Sequence, residues 1–184
     1  MITTTLRGRN FRFKTKPGLF SKNIVDPGSK LLIEYMVVKS SDTVLDLGCG
    51  YGAIGLVAAS LANEGKVYMV DTDIRAVKFS KINAFLNKIE NVEIIASDGF
   101  EELSTMCFDV VLSNPPSHLP KETMIEFIEG AKENLNKGGK LYFVNEKRIQ
   151  PLVKREFRRV FGNYEWVTQN PQYIVSTAIQ NEDW

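Results

Sequence analysis

The chain has 184 residues, 43% of them hydrophobic, with 23 Lys and Arg against 22 Asp and Glu, one His and two Cys. That length can bury a full core without disulfide staples, and no apolar run reaches the ~18 residues of a membrane span. With a single His, and Cys49 and Cys107 far apart in sequence, no ordinary zinc site can be assembled. The expectation is a soluble, cytoplasmic protein without membrane or metal.

Charge is segregated beneath the near-neutral total: residues 1–40 carry +6, residues 41–136 carry −8 and residues 137–184 carry +3. In the basic first stretch, Arg7, Arg9, Arg12, Lys14 and Lys16 interleave with Phe11 and Phe13. Such a composition suits phosphate contact with base stacking, or else a charged edge strand. Residues 11–16 alternate as a strand and stop at Pro17-Gly18. Pro27 then opens a helical pattern with Leu31, Leu32, Tyr35 and Met36 on one face.

Beyond it, short apolar runs at 43–47, 67–70, 92–95, 108–112 and 141–144 alternate with helical patterns near 53–62, 73–87 and 120–135. This alternation predicts a parallel sheet covered by helices. After a helix near 148–160, the runs at 164–168 and 172–179 are joined tightly enough to be antiparallel. No linker or repeat is visible, so the expectation is one domain over 1–184. It consists of a basic N-terminal extension at 1–26, read as a β-hairpin, and a catalytic core at 27–184.

Two stretches carry chemistry. The first is Asp46-Leu47-Gly48-Cys49-Gly50-Tyr51-Gly52, at the end of the first core strand, where open α/β sheets bind ligands and glycines let backbone approach them. Gly50 to Gly55 also fits G-x-G-x-x-G with Asp71 about 20 residues on, so a nicotinamide dinucleotide is a competing reading. Asp73 is placed as the cap of the helix beginning at Ile74. The second stretch is Asn114-Pro115-Pro116-Ser117-His118, where two prolines force the chain out of the sheet.

The D-x-G-x-G-x-G pattern resembles motif I of the class I methyltransferases, and Asn114-Pro115-Pro116 resembles motif IV of those that methylate amines conjugated to a π system. The resemblance implies a Rossmann-like seven-stranded α/β sheet, mostly parallel with an antiparallel C-terminal hairpin and helices on both faces. It implies S-adenosylmethionine as cofactor, held by Asp46, Gly48, Gly50 and Gly52, by Asp71 at the ribose, and by Asp98 and Gly99 at the adenine. Asn114, Pro115 and Pro116 would be catalytic: the Asn114 side-chain oxygen and the Pro115 carbonyl accept from the target NH₂ and hold it for in-line displacement.

Pro17-Gly18-Leu19-Phe20-Ser21, Asp26-Pro27-Gly28-Ser29-Lys30, and the step from Asn114-Pro115-Pro116 to His118 resemble the small-subunit ribosomal RNA guanine-N2 methyltransferases and their single-domain archaeal relatives. The implied substrate is guanine N2 of ribosomal RNA. A protein glutamine and a small molecule are the alternative substrates. Phe20, His118, Arg12 and Lys14 are the substrate-binding candidates. Ser117 stands where related enzymes often place an aromatic ring to stack on the base, so Phe20 or Phe13 would have to replace it. Lys154, Arg155, Arg158 and Arg159 form a second basic cluster, with Phe157 and Val160 as candidates for the buried face.

Overall fold

The computed structural model describes residues 1–19, 21, 23–103 and 105–181. Strands β1 (Ile2–Leu6) and β2 (Arg9–Phe13) form an antiparallel hairpin with Ile2 opposite Phe13. Its two turn residues, Arg7 and Gly8, have φ of 50° and 76°, the left-handed pair that matches the twist of a two-residue hairpin. The strand expected at 11–16 therefore starts earlier, ends at Phe13 and pairs upstream, while the turn expected at Pro17-Gly18 is present, closed by the Leu19 N–H on the Lys16 carbonyl at 3.1 Å.

Helix α1 (Pro27–Tyr35) starts on Asp26, whose carboxylate accepts from the Ser29 N–H, with Pro27 in the first turn where its missing N–H costs nothing. Its buried face is Gly28, Ser29, Leu32 and Ile33, followed by Met36. Tyr35, expected inward, is half exposed: Ile33 completes the i, i+1, i+4 stripe with Leu32 and Met36 and turns Tyr35 outward.

The core follows as β3 (Thr43–Leu47), α2 (Ala53–Leu61), β4 (Lys66–Asp71), α3 (Ile74–Leu86), β5 (Val92–Ala96), β6 (Phe108–Ser113), α4 (Lys121–Glu133), β7 (Leu135–Glu146), α5 (Gln150–Phe161), β8 (Glu165–Gln169) and β9 (Tyr173–Ile179). The larger sheet has the order β5-β4-β3-β6-β7-β9-β8. Its first five strands are parallel, and β9 runs antiparallel to both β7 and β8.

Alternate strand residues feed two separate cores, as period-two geometry requires of a sheet covered on both sides. Val44, Val67, Met69, Val110, Leu112 and Val144 pack with α1, α2 and the hairpin's Phe11 and Phe13. Leu45, Leu47, Val70, Val111 and Phe143 pack with Ile128 of α4 and Phe157 of α5. No helix among the described residues is long and apolar enough to cross a membrane.

Candidate active site

Going outward from β3, the chain winds one way to β4 and β5 and the other way from β6 to β7, so the crevice of an open α/β sheet falls between the ends of β3 and β6. Those ends are neighbours: Leu47 pairs with Ser113, and the Ser113 hydroxyl donates to the Leu47 carbonyl at 3.0 Å. The glycine segment and the Asn114 segment thus leave the sheet side by side. Between them lies a cavity of about 320 Å³, lined by residues of both together with Asp71, Asp98, Gly99 and Phe127.

The glycine loop is held by its own backbone. The Gly48 and Cys49 N–H groups donate to the Val70 carbonyl at 2.9 and 2.8 Å, and the Gly50 N–H donates to Asp71 Oδ2 at 2.9 Å. Gly50 has φ +56° and a Cβ there would meet no protein atom within 4 Å; because the residue lines the cavity, a side chain would occupy the ligand's space in a strained conformation. The other Asp71 oxygen accepts from the Asp73 N–H at 2.9 Å. An ionised carboxylate has about four acceptor positions, so two remain for a ligand diol. Asp73 caps α3 as expected, accepting from the Arg75 N–H.

Asp46 and Gly52 stand behind the lining rather than in it. Gly52 is the left-handed residue preceding α2, and Asp46 is fully buried with Oδ2 accepting from the Gly55 N–H at 2.7 Å. Their placement follows from burial of the strand end, beneath the loop that lines the cavity. Burial, reinforced by nearby Asp71, pushes the Asp46 carboxyl up to about 7, and its Oδ1 has no hydrogen-bond partner among the described residues. The same surroundings push the Cys49 thiol well above its usual range, burial first and then Asp46 and Asp71.

On the β6 side the Asn114 amide nitrogen donates to Asp26 Oδ2 and to Ser29 Oγ, both at 2.8 Å. Both amide hydrogens are used, and the carboxylate can only accept, so the amide cannot turn over. Its oxygen is left to accept from another donor. Asp26 and Ser29 line the same cavity, yet sequence reasoning gave them no part in orienting Asn114. Their signal was a helix cap, Asp-Pro-Gly-Ser, with more polar atoms than capping needs.

Other expected positions fall elsewhere. His118 is exposed on a turn, outside the cavity wall, because Pro116 and Pro120 carry the chain outward there. Arg12 and Lys14 also lie outside the wall, on the exposed side of β2 and just past its end; their backbone N–H groups donate to the side chains of Asn87 and Asn83 on and beside α3. Phe20 lies outside the described residues. Phe13 is fully buried, its ring 5.8 Å from Phe11 and 5.6 Å from Tyr51, so it is core and not a stacking platform. In the second basic cluster Arg155 and Arg159 pair with Glu156, and Arg159 also with Glu129, which satisfies them on the helix surface. Phe157 is buried as expected, and Val160 packs against the same core.

A seven-stranded sheet of this order, with a glycine-lined cavity between the ends of β3 and β6, is the fold of the class I methyltransferases. The chain belongs to the methyltransferase small domain family, whose model matches residues 10–177. It is 39% identical over 176 residues to the uncharacterized protein YbxB of Bacillus subtilis (strain 168), covering 94% of this chain and 88% of that protein. It is 34% identical to the ribosomal RNA small subunit methyltransferase C of Hamiltonella defensa subsp. Acyrthosiphon pisum (strain 5AT), covering 92% of this chain and 51% of that one. The T. thermophilus 16S rRNA N2 methyltransferase RsmC, solved in complex with AdoMet and guanosine, superposes with a TM-score of 0.88 at 26% identity over 98% of this chain and 50% of that one. The chain thus spans about half the length of the RNA-modifying relatives it matches.

The residues present fit S-adenosylmethionine, the cofactor of this family. Asp71 keeps acceptor capacity for a diol, Asp98 is exposed on the wall where an amine can reach it, and the glycine loop leaves room that any Cβ would fill.

Proposed function

We propose that the protein transfers a methyl group from S-adenosylmethionine to an exocyclic amine of RNA, with guanine N2 of ribosomal RNA as the target. When bound, the cofactor supplies a methyl carbon on a sulfonium that is also the leaving group. Asp71 would hold the ribose hydroxyls, Asp98 and Gly99 the adenine, and the loop around Gly48 and Gly50 the methionine end. Asp46 and Gly52 support that loop from behind.

The observation that carries this reading is the amide of Asn114, pinned through its nitrogen by Asp26 and Ser29 at the cavity wall. Its oxygen and the Pro115 carbonyl form a pair of acceptors for one NH₂ group. The lone pair of such an amine is delocalised into its ring; two acceptors fix its hydrogens and favour rehybridisation toward the methyl carbon. The nitrogen becomes acidic as it gains positive charge, so the same acceptors stabilise the developing charge without a strong base. Arg12 and Lys14, exposed outside the cavity, would meet phosphates of a larger substrate rather than the base.

The direct test is incubation with labelled methyl donor and separate pools of rRNA, tRNA and protein, followed by nucleoside analysis. Label recovered as N2-methylguanosine from rRNA is the expected result. Label confined to protein glutamine would overturn it in favour of the other substrate that this chemistry serves.

A further inference from the structure

Residues 74–89, helix α3 and the turn that ends it, hold Arg75, Lys78, Lys81 and Lys88 and no acid. They supply four of the seven basic side chains in the otherwise acidic stretch 41–136. At helical spacing Ile74, Lys78, Lys81 and Phe85 fall on one face, and all four are exposed. Phe85 is 84% exposed, so its ring buries almost nothing for the fold. Arg75 is paired with Asp73, whereas the side chains of Lys78, Lys81 and Lys88 make no ion pair among the described residues.

Beside this face an open groove of about 470 Å³ runs between the end of α3 and the edge strand β5. Ala84, Val92 and Ile94 give it an apolar floor. Lys81, Phe85 and Lys88 stand on its rim with a single acid, Glu90. The Lys88 N–H donates to the Phe85 carbonyl and the Ile89 N–H to the Ala84 carbonyl, at 3.1 and 3.0 Å, the paired bonds that close a helix on a left-handed residue. Glycine is usual there, yet Lys88 holds that position with φ of 54°, a strained conformation for a residue with a Cβ. Lysine gives this turn nothing that glycine would not, so the charge beside Phe85 answers to something outside the fold.

We infer that the groove and the adjoining face of α3 dock an unpaired stretch of the RNA substrate, one base stacking on Phe85 and neighbouring phosphates meeting Lys81 and Lys88. This rests on the RNA-methylation reading above. An exposed ring set between unpaired cations matches an unstacked base and its phosphates. A duplex, whose bases already stack on each other, offers it no free face. An anionic lipid surface would require a continuous apolar face, whereas Ile74 and Phe85 stand about 17 Å apart along the helix, with lysines between them. The same distance separates Phe85 from the start of α3, just past Asp71 and Thr72 on the cofactor cavity wall. The groove therefore holds nucleotides away from the one being methylated.

The test is equilibrium binding to the full chain, across a salt series, of a short unstructured oligoribonucleotide, of the duplex it forms with its complement, and of vesicles of phosphatidylserine and phosphatidylcholine. The single strand should bind tightest. Phe85→Ala should weaken it at least about fivefold, the low end for losing one base-stacking ring, and Phe85→Trp should restore it. Lys88→Gly, which relieves the left-handed strain, should hold or raise the melting temperature while making the salt slope shallower by about 0.7, the value for one phosphate contact on a single strand. Affinity for S-adenosylhomocysteine should not move in any variant. No single-strand binding, equal binding of single strand and duplex, an affinity indifferent to Phe85→Ala, or an unchanged slope in Lys88→Gly would each overturn the assignment; so would vesicle binding that is lost with the same substitutions. Labelled-methyl transfer to rRNA is scored separately. Methylation with an unchanged KM in Phe85→Ala removes only this inference, whereas no methylated nucleoside from any RNA removes the reading beneath it.

Discussion

The two walls of the candidate active site are built from different materials. The β3–β4 side is made largely of backbone: N–H groups of Gly48, Cys49 and Gly50 turned onto Val70 and Asp71, with glycine conformations that leave space. The β6 side is made of side chains gathered from distant positions: Asn114 after β6, held by Asp26 and Ser29 at the start of α1. A backbone site must be written as a contiguous run of small residues. A side-chain site can be assembled from anywhere the fold brings together, and its members carry no common spacing.

The sharpest way to test this division is Asn114→Ala. Turnover should fall by about 10²- to 10³-fold, the usual cost of removing one aligned polar group from a charged transition state, while S-adenosylmethionine still binds. Calorimetry beside single-turnover rates checks both halves, and a parallel loss of cofactor affinity would break the distinction. Gly50→Ala should do the converse. Its φ of +56° costs a Cβ about 1–2 kcal/mol, so cofactor affinity should drop about tenfold or more, and turnover at saturating cofactor should change less.

Asp46 sharpens the donor side through pH. Its carboxyl is raised from 3.8 to about 7, burial being the main cause, so the folded chain holds a proton that the unfolded chain releases. Between those values unfolding therefore frees a proton, and this group's contribution to stability declines as pH rises. A cationic cofactor favours the ionised form, so its binding should release a proton and tighten as pH rises through about 7. Asp46→Asn should flatten both dependences, measured by melting temperature against pH and by calorimetry in buffers of different ionisation enthalpy. The smallest effect belongs outside the cavity. Replacing Arg12 and Lys14 together by Ala should raise the KM for RNA a few-fold and reduce the salt slope of binding by about 1.4, the value for two phosphate contacts on a single strand. Cofactor affinity should not move.

Much of the fold was readable because apolar runs bounded by turn signals fall at every parallel strand, and Asp26-Pro27 and Asp73 announce their helices. The pattern misled where burial, not period, decides. Phe11 and Phe13 alternate with basic residues as an exposed strand would, yet the hairpin lies on the molecule and encloses them. Tyr35 fits an inward stripe that Ile33 instead completes. In the site, Gly48, Gly50, Asp71, Asp98, Gly99, Asn114, Pro115 and Pro116 all reach one cavity wall, since strand ends in this topology converge. Asp46 and Gly52 support it from behind. His118, chosen for its place beside Asn114 and for the resemblance there, and the basic residues of β2, chosen by composition, stand outside it, since neither sequence distance nor composition holds information about direction. The roles of Asp26 and Ser29 depend on contacts with Asn114 across 88 and 85 residues, which leave no local trace.

The hairpin's attachment separates architecture from decoration. Asn83 and Asn87 accept from the backbone N–H groups of Lys14 and Arg12 and donate back to their carbonyls, so two amide side chains stand in for a neighbouring strand along that border. Arg7 adds side-chain bonds to the Ile33, Glu34 and Met36 carbonyls, and Ile2, Leu6 and the Phe pair face the core; Arg12 and Lys14 enter this docking through their main chain, so their outward side chains are free to be rewritten. Evolution or an engineer can exchange the charges there without renegotiating how the sheet folds.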